Sequence, residues 1–191
     1  MINKLAKLLR VLTVAPIMAL IMLVILYTKD FNAFGSTSAF VMSILFLSIF
    51  PLLAYPLQPF IKSYKDKGRE GQRSLAMIFS VAGYIGGFLS TLFMHSPKKI
   101  LLIYLCYLIS GALIILFNKL CHLKASGHAC GVSGPFTLLV LFGHPIGYLG
   151  IIVLLMTWWS SLKIKRHTIW QLFGGTLIPI ITLVGLIYIF L

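Results

Sequence analysis

Apolar residues fall in long runs along this chain, near residues 10–28, 38–60, 75–94, 100–118, 132–143, 146–160 and 169–191, with short polar breaks between them. A helix that crosses a bilayer needs roughly 20 mostly apolar residues. The pattern therefore predicts an all-α fold, an integral membrane helical bundle of six or seven transmembrane helices, with residues 1–191 forming a single transmembrane domain. The fifth and sixth runs are short and meet at Gly143-His144-Pro145, which predicts a tight hairpin or a kinked pair, with Pro145 in the first turn of the second helix. Gly83, Gly86 and Gly87 give the third run a small-residue face for close helix packing. The first run, Val11 to Tyr27, is long enough to span, and no small-residue cleavage site ends it, so it reads as a helix and not as a cleaved signal.

Composition sharpens the membrane assignment. Hydrophobic residues make up 60% of the chain and charged residues 10%, far from the usage of soluble domains. Charge is lopsided, with 16 Lys and Arg against three carboxylates, Asp30, Asp66 and Glu70. Such a chain favours anionic partners. The basic residues sit in short loops without a stripe of stacking aromatics, which points to lipid headgroups and argues against nucleic acid. Counted by loop, thirteen basic residues fall on the side that carries Lys4, Lys7 and Arg10, and three (Lys29, Lys98 and Lys99) fall on the other. The richer side is expected in the cytoplasm. Cys106, Cys121 and Cys130 make no paired framework of the secreted kind.

Most of the polar chemistry lies in three segments on that basic side, KSYKDKGREGQR (62–73), KASGHACG (124–131) and SSLKIKRHTIWQ (160–171). They contribute His128 and His167 among lysine, arginine and glycine. Phosphoryl transfer needs this combination: cations for the equatorial oxygens, backbone N–H groups near a glycine turn, a nucleophile and a general acid. Histidine serves in either of the last two roles.

In order and chemistry the segments resemble the type 2 phosphatidic acid phosphatase superfamily, whose pattern is K-x6-R-P, then P-S-G-H, then S-R-x5-H-x3-D. The second motif reads Ala125-Ser126-Gly127-His128 here, and the third reads Ser160-Ser161 followed by His167 and Gln171. The first reads Lys67, Arg73 and Ser74, one residue short of the family spacing, with Lys65 one residue too far. The likeness covers about residues 62 to 175. It implies a phosphohistidine mechanism in which His167 attacks phosphorus and His128 protonates the leaving group. Lys67, Arg73, Ser126 and the Gly127 backbone would hold the phosphate. The chain departs from the pattern where Ser161 replaces an arginine and Gln171 replaces the aspartate that orients the nucleophile. Lys163 is the expected substitute for that arginine, and Gln171 lies one turn after His167, where it can accept the imidazole N–H.

These readings together predict a lipid phosphate or diphosphate hydrolase whose substrate keeps its tail in the bilayer, such as phosphatidic acid or a polyprenyl diphosphate. No metal or other cofactor is expected, because magnesium is normally held by one or two carboxylates and this chain is short of them. One rival is a non-catalytic relative that binds anionic lipid, favoured by Ser161 and Gln171. Another is a small transporter, which predicts charges within the spans that the apolar runs practically lack. A zinc site from Cys121, His122, His128 and Cys130 lacks the usual cysteine-pair spacing. His95 and His144, at helix ends, and Trp158, Trp159 and Trp170, flanking the third motif, fit the headgroup region.

Overall fold

The computed structural model describes residues 2–119 and 124–190. Among these every regular element is helical: α1 (Ile2–Leu12), α2 (Ala15–Lys29), α3 (Thr37–Ile44), α4 (Phe50–Leu57), α5 (Gly68–Phe93), α6 (Lys98–Lys119), α7 (Gly127–Leu141), α8 (Gly150–Lys163) and α9 (Ile169–Phe190), with short 3-10 and π segments between some of them. Five stretches are long and apolar enough to cross a membrane: Thr37–Phe60, Lys65–Phe93, Lys98–Lys119, Pro145–Lys163 and Ile169–Phe190. Counting the pair α1 and α2 as one broken span makes six. The first apolar run thus divides differently from its sequence pattern, because the chain bends by 55° between α1 and α2. The 132–143 run forms α7, which at 15 residues is about 22 Å long, short of the roughly 30 Å hydrocarbon thickness.

The residues group into two compact units, Met1–Met22 with Leu105–Leu191, and Leu23–Tyr104. In the second unit, α3 continues through a π-helical segment (Leu45–Ile49) into α4, and α5 packs along both. Glycines on α5 let other elements come close to it. A Cβ at Gly83 would strike the Phe46 carbonyl, one at Gly86 would meet the Phe46 ring at 2.9 Å, and one at Gly87 would overlap the Tyr104 ring. Gln58 Nε2 donates to the carbonyls of Tyr64 (3.2 Å) and Gly68 (2.6 Å), which fixes the turn that carries Lys67.

The first unit is built around α7, which packs on α9 and α8, while α1 lies on α8. Small residues at the start of α7 let its neighbours approach: a Cβ on Gly131 would collide with Ala15. Two hydrogen bonds to Thr176 of α9 tie three helices together, from Ser133 Oγ to its carbonyl (3.1 Å) and from Trp158 Nε1 to its hydroxyl (3.1 Å). Ala129, Val132, Leu138, Leu139, Leu172 and Leu183 are buried in this core. The hairpin between α7 and α8 turns at Gly143, whose φ of 82° is a left-handed conformation that glycine adopts without strain, and Pro145 opens the following 3-10 turn. α1 is different in character. It buries Ala6 and exposes Ile2, Leu5, Leu8, Val11 and Leu12. An amphipathic helix with an uncovered apolar face and a basic polar face suits the boundary between headgroups and acyl chains.

Candidate active site

The start of α7 is docked on the start of α9. Ser126 is fully buried and caps α7 by accepting the Ala129 N–H at 3.3 Å, while its own N–H donates to the Gln171 carbonyl at 2.8 Å. The approach requires glycine at position 175, since a Cβ there would overlap the Ser126 carbonyl oxygen. The second and third motifs are therefore joined at their backbones, with Gly127 exposed as the first residue of α7 and His128 following it in the first turn. A helix N-terminus with N–H groups directed outward favours an anion.

His167 precedes α9, and its Nδ1 lies 3.1 Å from Gln171 Oε1. The same oxygen accepts the Thr168 N–H at 3.3 Å. A backbone N–H only donates, so the Gln171 amide must present its oxygen to both groups. Nδ1 of neutral His167 therefore carries the proton, and the lone pair lies on Nε2.

His128 has a similarly fixed tautomer. Its Nε2 is 2.9 Å from Thr13 Oγ1, and Thr13 spends its single hydroxyl proton on the Leu9 carbonyl at 2.8 Å. His128 Nε2–H is thus the donor and Nδ1 the acceptor. His128 stands outside the membrane-crossing stretches. Burial, with Arg10 and His167 close enough to repel a second positive charge, pulls its pKa down to about 3. The imidazole is therefore neutral at pH 7.

The residue that sequence reasoning missed is Arg10. Read from the sequence as a topology signal, it stands in the last turn of α1 with Nη1 2.5 Å from Ser161 Oγ. Ser161 is fully buried and is the position at which the resemblance leads one to expect an arginine. Lys163, the expected substitute, is exposed as the last residue of α8. Arginine at position 10 among the lysines of α1 does not by itself mark a site; what sets it apart is that the tertiary fold places Ser161 beside it. Thr13, in the bend after α1, was missed for the same reason.

The remaining candidates, Lys67 and Arg73, belong to the other unit, where both are exposed and Lys67 Nζ lies 5.6 Å from the centre of the Tyr64 ring. Among the described residues no three His, Cys, Asp or Glu side chains gather as a metal site, while Cys121 and His122 lie outside those residues. No family model, curated protein or solved structure matches this chain.

Proposed function

We propose that this chain is a membrane-embedded hydrolase of lipid phosphates or diphosphates, working through a phosphohistidine on His167. The observation that carries the reading is the pair of histidines with opposite tautomers held beside a guanidinium: His167 on Gln171, His128 on Thr13, and Arg10 on Ser161. His167 Nε2 would attack phosphorus while the bond from phosphorus to the lipid oxygen, or to the leaving phosphate, breaks. His128 would give that oxygen a proton, and a water molecule, deprotonated by His128, would then release inorganic phosphate from His167. A neutral His128 cannot donate in this way. A bound phosphate dianion supplies the negative charge that raises its proton affinity, so the acid is charged only when substrate is present.

A second reading, an anionic-lipid binder without turnover, is favoured by Gln171, because an amide brings no negative charge to stabilise the imidazolium. Both readings keep the lipid tail in the bilayer, where each buried CH2 is worth roughly 0.8 kcal/mol.

The test is phosphate release from a panel of lipid monophosphates and diphosphates by the purified protein in detergent with EDTA present. Release by the wild type, with loss of both turnover and an acid-labile phosphoenzyme in His167→Ala, is expected. Undiminished release by His167→Ala would overturn the mechanism, and binding of phosphatidic acid vesicles without any release would favour the second reading.

A further inference from the structure

The end of α1 enters the site twice. Arg10 reaches Ser161, and Thr13, three residues on in the bend after α1, holds His128. Ala6, one turn before Arg10, is fully buried and seats this face of the helix. Ser161 in turn accepts the Arg166 N–H on its carbonyl at 2.9 Å, at the entry to the loop that carries His167. All three carboxylates of the chain, Asp30, Asp66 and Glu70, fall within residues 23–104, so the unit that contains Arg10 has Lys and Arg but neither Asp nor Glu. An anion is the ligand that complements such a site.

We infer that Arg10 is a phosphate-binding residue, a guanidinium brought to the site by the N-terminal helix, and that Ser161 is the positioning residue that aims it. The inference rests on the hydrolase reading above. It adds a residue outside the three motif-like segments and gives α1 a part in the site. The planar guanidinium offers five N–H donors in a fixed fork, a geometry that matches two phosphate oxygens at once, and its contact with Ser161 fixes where that fork stands. Lysine at this position would keep the charge and lose the paired geometry. The buried serine is then explained by size, since a small hydroxyl leaves room for a side chain arriving from another helix.

The experiment measures phosphate release and inhibition by orthovanadate, a phosphate mimic, in detergent for the wild type, Arg10→Ala, Arg10→Lys and Lys7→Ala. Losing a charged donor to a transferring phosphoryl group typically costs about a hundredfold or more in turnover. Arg10→Ala is expected to lose about that much activity, to weaken orthovanadate inhibition in parallel, and to recover part of both when millimolar guanidinium is added. Arg10→Lys should fall between Arg10→Ala and the wild type. Lys7→Ala, which removes an equal charge from the same helix, should change neither readout. Should Arg10→Ala fail to fold, Arg10→Lys decides: orthovanadate inhibition equal to that of the wild type would overturn the inference. An active wild type with an equally active and equally inhibited Arg10→Ala would sink the role of Arg10 alone. A wild type that neither releases phosphate nor gains thermal stability from orthovanadate would sink the hydrolase reading and the role of Arg10 with it.

Discussion

Gln171 shows how much a single polar atom decides. Its Oε1 accepts from both the Thr168 N–H and His167 Nδ1, so the lone pair of neutral His167 is assigned to Nε2 without any charge on the partner. Orientation is thereby supplied and stabilisation of the imidazolium is not. In a serine protease triad, replacing the carboxylate by an amide lowers turnover by about four orders of magnitude. Gln171→Asp is therefore expected to raise phosphate release at least about tenfold, part of that range, because an aspartate is shorter than glutamine and must still reach the ring. Initial rates at saturating lipid phosphate check this. A rate that falls or stays level would mean that negative charge at this position does not assist the chemistry.

Helix packing decides whether the segments that carry His128 and His167 meet, and the deciding contact contains neither ring. Gly175 of α9 lets the backbone of Ser126 close onto the helix, where the Ser126 N–H finds the Gln171 carbonyl. Gly174 beside it has open space around its missing Cβ. The two glycines therefore predict opposite outcomes for the same substitution. Gly175→Ala forces α7 off α9, an overpacking effect of about 1–3 kcal/mol, and should lower the melting temperature in detergent by several degrees and reduce phosphate release. Gly174→Ala should leave the melting temperature level or raise it slightly, since alanine is the better helix former by about 1 kcal/mol. Equal melting temperatures for the two variants would contradict the docking described here.

For the molecule as a whole, the neutral His128 couples folding to pH. Its pKa is about 3 when folded, against an ordinary value of 6.5, with burial as the main cause and electrostatic repulsion from Arg10 and His167 adding to it. Between those two values the unfolded chain binds a proton that the folded chain does not. Stability from this group is thus fully present above pH 6.5 and is lost progressively as pH falls toward 3. The expected result is a melting temperature in detergent that drops between pH 7 and pH 4.5 by more in the wild type than in His128→Gln, whose amide can still donate to Thr13. Parallel curves for the two proteins would show that His128 is not the group responsible.

Elements whose physical cause is local were legible in the sequence. Runs of about 20 apolar residues have few alternatives to a spanning helix, and Gly143-His144-Pro145 breaks one of them for reasons contained in those three residues. The spacing of His167 and Gln171 also determines their meeting, because a difference of four residues at the start of a helix is one turn. The tertiary structure decided the rest. The 55° bend between Ile2–Leu12 and α2 has a local mark in Pro16, which has no N–H to give the Leu12 carbonyl, whereas the packing of α1 on α8 has none. Arg10 lies 151 positions from Ser161, and Thr13 lies 115 from His128. Contacts between helices so far apart in the chain depend on how side chains of many elements pack together, and the identity of arginine against its neighbouring lysines carries no trace of that. The sequence by itself therefore determined the helices and which residue types carry the polar chemistry, while packing alone decided that Arg10 stands at Ser161 and Thr13 at His128.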